Sequence, residues 1–231
     1  MKQTSFILLF FLTTLFCFGQ KDHLEPIKDN NHIDVKKYYD KVHSLLSVGF
    51  SKSPYASYIC RPSFDEEYAF SIERFDNKTI IISNRFSENY WYAGMRDSVK
   101  IISKKTEISN DMFLKIGELF ELFTAQTKER EREFKTLPDG TIAEIYIERS
   151  DGNIYAFTST DKDGKIKTGE TWSPHQSDQP MLNRLVKICD KLCSVEIENI
   201  SQTNITQEID ELTSDYKKSS KLTNPNQSTV K

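Results

Sequence analysis

The stretch Trp172-Ser173-Pro174-His175-Gln176-Ser177-Asp178 holds the residue types of a nucleophilic triad: a hydroxyl, an imidazole to take its proton, and a carboxylate to orient the imidazole. An exported hydrolase built here would use His175 with a carboxylate such as Asp178 or Glu170. The spacing argues against it. Groups crowded into so short a run cannot easily reach triad geometry, and the sequence has no Gly-x-Ser-x-Gly elbow to lift a serine out of a strand-to-helix turn. Ser177 or Asp178 is better read as the N-cap of a following helix, which leaves His175 on an exposed loop. His23 and His32 fall in the polar segment before the first predicted helix, and His43 falls on the polar side of that helix.

A second group is aromatic. Tyr90, Trp91 and Tyr92 stand together in one predicted loop and Trp172 opens another. Rings with a polar handle suit partly wet sites, and loops carry binding more often than strands do. The expected ligand surface is therefore Tyr90, Trp91, Tyr92, Trp172 and His175, taking a protein, peptide or glycan. The competing reading is that both tryptophans plug the ends of the core.

Metal and cofactor chemistry finds little support. Asp161, Asp163 and Gly164 begin like a calcium loop, but the acidic residue that should close it is missing, and Glu170 stands too near. A tight turn explains them. Cys189 and Cys193, four apart on a predicted helix, share a face with Leu182, Leu185, Val186 and Leu192, which reads as buried packing. A disulfide from Cys60 to either of them is the alternative. Phosphate loops, paired-cysteine zinc spacings and the His-Glu-x-x-His helix are absent, so neither cofactor nor metal is expected.

The elements that must position these residues follow from hydrophobic period. Residues 34–48 and 109–124 carry apolar stripes at helical spacing, the second capped by Ser109. Residues 180–193 make a third helix, with Pro180 suited to its first turn. Alternation predicts strands at 68–75, 79–83, 98–104, 142–149, 154–160 and 165–170, with Asp76-Asn77, Asp151-Gly152 and Asp163-Gly164 as turns. Residues 51–66, with Pro54 and Pro62, read as irregular, and the charge-alternating run 128–135 reads as a solvated connector. Ile72-Glu73-Arg74-Phe75-Asp76-Asn77 resembles Ile147-Glu148-Arg149-Ser150-Asp151-Gly152, and each is followed by a strand, a Trp-containing loop and a helix. That order suggests a ββ(β)α pseudo-repeat. The expected fold is α+β: an antiparallel sheet of about six to seven strands with three helices packed mainly on one face.

Residues 1–20 have one early lysine, an apolar run from Phe6 to Phe18, and Gly19 where a peptidase wants a small residue, the layout of a secretory signal. The run is too short to span a membrane comfortably. A lipid anchor at Cys17 is disfavoured by the bulky Phe16 before it. Removing the signal takes away Lys2 and moves the formal charge from -3 to -4, from 31 basic and 34 acidic residues to 30 and 34. Such near-balance gives no reason to expect nucleic acid or an anionic membrane as partner. The remaining chain divides into a polar lead-in at 21–33, one domain at 34–197, and a disordered polar tail at 198–231 with at most a short helix near Ile209 and Leu212. The functional expectation is an exported binding module, at the periplasm, the cell surface or outside the cell. The alternatives are the hydrolase above and a structural cell-envelope protein tethered by its tail.

Overall fold

In the computed structural model the described residues are 22–28, 32–130, 133–145, 151–194 and 199–223. The signal segment with Cys17, and residues 147–150 of the sequence match, lie outside them. Among the described residues four α-helices and eight strands run in the order α1 (Ile33–Leu46), β1 (Ala56–Arg61), β2 (Tyr68–Phe75), β3 (Lys78–Phe86), β4 (Ile101–Ile108), α2 (Asn110–Ala125), β5 (Glu133–Thr136), β6 (Ile142–Ile145), β7 (Ile154–Thr160), β8 (Ile166–Trp172), α3 (Pro180–Cys193) and α4 (Asn199–Thr223). Six strands form one antiparallel sheet in the order β4-β3-β2-β1-β7-β8, and β5 and β6 pair as a separate two-stranded ribbon. The chain is thus α+β.

Alternation along the strands creates two layers of core. Ala56, Tyr58 and Cys60 of β1, Phe70 and Ile72 of β2, Ile81 of β3 and Phe157 of β7 face the apolar stripes of α2, α3 and α4. The α2 stripe, Met112, Phe113, Ile116, Leu119, Phe120 and Phe123, is buried as its spacing predicts. Each such side chain contributes about 1.5–3 kcal/mol of burial before entropy is charged. Ser109 caps α2 by accepting from the Met112 N–H at 3.1 Å. On the opposite face Ile59, Ala69 and Phe86 meet Tyr38, Val42 and Leu46 of α1. Three helices therefore share one face and α1 covers part of the other.

Several elements depart from the sequence reading, each for a physical reason. Residues 56–61, expected to be irregular, form β1 between β2 and β7, near the middle of the sheet. Buried on both faces, it shows no polar–apolar alternation, and its flanking prolines hide it. Because β1 pairs with β7, it occupies the place the pseudo-repeat reserves for 142–149. Ile142–Ile145 instead pairs with β5, inside the run expected to be a solvated connector. The third strand begins later than expected, at Ile101.

The lead-in is not a loose segment at its described part. Leu24 is fully buried, and Glu25 forms a β-bridge with Glu170, exchanging N–H···O bonds of 2.8 and 2.7 Å. Asp22, rather than Ser177 or Asp178, caps α3: its two carboxylate oxygens accept from the Met181 and Leu182 N–H groups at 2.7 and 2.9 Å. The expected disordered tail is also corrected, because residues 199–223 form α4. Ile205, Ile209, Leu212 and Tyr216 are buried on it, and Tyr216 packs on Phe123 with ring centroids 4.1 Å apart. The three cysteines Cys60, Cys189 and Cys193 are free and buried, so the bridge from Cys60 is not formed.

Candidate functional site

Alternate strands of an antiparallel sheet run the same way, so β1, β3 and β8 all end at one end of the sheet. The segments 62–67, 87–100 and 173–179 emerge there. Between β3 and β4 the chain carries Tyr90, Trp91 and Tyr92 and then a short 3-10 turn, Arg96–Ser98.

This loop is held from beneath by one carboxylate. Glu67 is fully buried and accepts from the Tyr38 hydroxyl and from the Tyr90 N–H at 2.9 Å, tying α1 to the loop. Burial, and then the bond to Glu67, raise the Tyr38 hydroxyl well above the ordinary tyrosine value, so it stays a donor. Tyr90 itself is only 5% exposed and stacks on Phe86 at 5.1 Å. Trp91 stands edge-on to Tyr38, with centroids 4.8 Å apart. Asn89 fixes the turn: its amide donates to the Asp65 carbonyl at 2.6 Å and its side-chain oxygen accepts from the Tyr92 N–H at 3.0 Å. Arg96 donates to the Trp91 carbonyl at 3.2 Å and lies over both the Tyr90 and Trp91 rings, at 5.7 and 5.5 Å.

Above this base the outer rings face solvent. Phe64 and Tyr92 are 67% and 62% exposed, and their rings are parallel within 4° with centroids 6.4 Å apart. Trp91 is 37% exposed and Met95 75%. Compared with protein-family models, with curated proteins and with solved structures, the chain finds no match. Function must therefore be read from this geometry.

Of the five residues singled out in the sequence, Tyr90, Trp91 and Tyr92 belong to one cluster, with Tyr90 as its foundation. Trp172 and His175 do not join it. Trp172 ends β8, four strand positions from β3, which places the two strand ends about 19 Å apart at about 4.8 Å per strand. Its indole lies against the 151–153 turn, where a Cβ on Gly152 would come 2.7 Å from Nε1.

His175, Ser177 and Asp178 do meet, in the wrong order. The His175 Nδ1 lies 2.9 Å from the Ser177 hydroxyl, which donates to the Asp178 carboxylate at 2.8 Å, with all three exposed. The hydroxyl sits between base and acid, so in this chain of bonds no carboxylate orients the imidazole, and water surrounds all three. Glu170 is buried on β8 and faces Arg61, at 3.4 Å, while the Arg61 guanidinium covers the Tyr39 ring at 4.1 Å. His43 lies near this guanidinium, and burial, then Arg61, lowers its imidazole below the ordinary value.

Glu67, Phe64, Met95 and Asn89 escaped the sequence reading. Only Asn89 carried a signal, as a turn-forming amide beside an aromatic run. A buried Glu67 next to the exposed-looking Glu66 has no local signature. Among the described residues no group of three His, Cys, Asp or Glu side chains could hold a metal ion.

Proposed function

We propose that the chain is a non-catalytic exported recognition domain that captures a partner with the aromatic end of its sheet. The observation that supports it is a fixed base beneath wet rings: Phe64, Trp91, Tyr92 and Met95 are exposed, while the backbone at Asp65, Tyr90, Trp91 and Tyr92 is bonded to the Glu67, Asn89 and Arg96 side chains. Exposed aromatics of fixed geometry offer large contact area with little side-chain entropy to lose, which is what a binding anchor requires. A peptide or protein segment fits better than a glycan, because Phe64 and Met95 bring no polar group to satisfy sugar hydroxyls.

The test is selection of a peptide from a random displayed library on the wild-type chain, followed by titration of that peptide into variants. Phe64→Ala with Tyr92→Ala should weaken binding at least about tenfold, an anchor loss of about 1.4 kcal/mol, with the unfolding midpoint unchanged. Equal affinity in the double variant would remove this surface from the function.

A further inference from the structure

The two edges of the main sheet are treated differently. Beyond β8 the lead-in closes the edge, with Glu25 bonded to Glu170 through both backbone groups. Beyond β4 no strand pairs with the outer row of backbone groups among the described residues. The Glu107 carbonyl, which accepts from the Gln202 side chain of α4 at 3.2 Å, marks the outward row, and the Ile108 carbonyl, which accepts from Thr79 of β3 at 2.7 Å, marks the inward one. In an antiparallel strand these directions alternate, so Ile101, Ser103 and Lys105 also point their N–H and C=O groups outward. Nothing among the described residues bonds to them.

The side chains along this edge select what can pair with it. Lys104 lies on the face shared with Ile108 and the helices, and Lys105 on the opposite face, so the two lysines flank the open edge on both sides. Neither forms an ion pair or a side-chain hydrogen bond among the described residues. A second copy is a poor occupant. In an antiparallel two-fold pairing the faces must match, and the registers that overlap β4 most fully set Lys104 against Lys104 or Lys105 against Lys105. Like charges directly opposite destabilise a strand pair. A basic or neutral strand is refused or unassisted in the same way, which is how edge lysines guard a sheet. A strand with two consecutive carboxylates is different, because its neighbouring residues point to opposite faces and meet one lysine each.

We infer that the β4 edge is a docking site for an extended acidic segment of another protein, added to the sheet by backbone hydrogen bonds to Ser103 and Lys105. The site is separate from the aromatic end, and its success does not depend on that reading.

The experiment uses the full chain, isotope-labelled, with the peptide acetyl-Thr-Val-Glu-Glu-Val-Thr-amide and its counterpart carrying two lysines in place of the glutamates. At peptide ten times its Kd, amide exchange at Ser103 and Lys105 should slow by about tenfold, while Ile102 and Lys104, already bonded to β3, change little. The lysine peptide should not bind. Ser103→Pro removes one outward donor at a position where an edge strand tolerates proline, and should abolish protection. Lys104→Glu with Lys105→Glu should weaken the acidic peptide at least tenfold and does not touch the backbone, which keeps the test decisive if the proline variant fails to fold. Absence of binding by the acidic peptide, equal binding of both peptides, or binding that the charge reversal leaves unchanged would overturn the inference. So would protection confined to the 89–96 loop.

Discussion

Asp22→Ala should destabilise the whole domain although Asp22 belongs to no helix or strand. Its carboxylate accepts from the Met181 and Leu182 N–H groups at 2.7 and 2.9 Å, two of the donors that the first turn of α3 cannot satisfy internally. Loss of a capping side chain costs about 0.5–2 kcal/mol. The Leu182 bond is buried, so water does not readily replace it, and this favours the upper half of that range. Against this stands the cost of burying the carboxylate itself. Desolvation raises its pKa, and the two backbone bonds only partly oppose that. The net loss should be about 1–2 kcal/mol, or a fall in Tm of about 2–8 °C for a chain of this size. Asp22→Asn keeps an acceptor and should lose less than half as much. Urea unfolding followed by circular dichroism gives the stability, and amide exchange at Met181 and Leu182 locates the effect. If Asp22→Ala unfolds at the wild-type midpoint with those two amides still protected, the lead-in does not cap α3 and the account of the N-terminal segment fails.

Gly117→Ala in α2 sets helix propensity against packing: alanine should gain up to about 1 kcal/mol in a helix interior, but its Cβ would fall 1.9 Å from Cε1 of Tyr55, whose ring stacks on Phe113 at 4.7 Å. The clash should dominate and destabilise by about 1–3 kcal/mol, and adding Tyr55→Ala should make the same glycine replacement neutral or stabilising, as read by a double-mutant cycle in urea. Asp190 accepts from the Tyr58 and Tyr68 hydroxyls at 2.9 and 2.6 Å, and burial raises its pKa above the ordinary aspartate value of 3.8. Between that value and the raised one the native state holds a proton that the unfolded state has released, so this group makes stability fall as pH rises through the window. Asp190→Asn should therefore flatten the stability profile above pH 3.8 relative to wild type. An unchanged difference between the two proteins at every pH in that range would contradict the assignment.

The parts of this fold that were legible in the sequence are those whose residue types alternate at the period of their element. The stripes of α2 and α3 announce them by helical period, and β2, although buried on both faces, still alternates in residue type, with Tyr68, Phe70 and Ile72 set against Ala69, Ser71 and Glu73. What stayed hidden lacks that contrast. Ala56–Arg61 is covered on both faces, so its pattern carries no period, and it could not be told from a loop between two prolines. In α4 the apolar residues Ile205, Ile209, Leu212 and Tyr216 do recur at helical spacing, but in a background of Asn, Ser, Thr and Lys only a short helix near Ile209 and Leu212 could be read. The candidate site was half legible. Aromatic clustering in one loop was visible, while Phe64, contributed by a distant turn, and Glu67, buried without a local signal, became apparent only once β1, β2 and β3 were placed side by side.

The C-terminal helix also bears on the order of events during synthesis. Tyr216 and its apolar neighbours fill the crevice between α2 and α3, and pairs such as Arg184–Asp215 and Lys115–Asp210 latch it there. Since α4 is made after all the strands and the other helices, a nascent chain keeps an oily trench open until the final turns emerge. Chains stalled before residue 205 should accordingly stay protease-sensitive, whereas those extended past 223 acquire resistance.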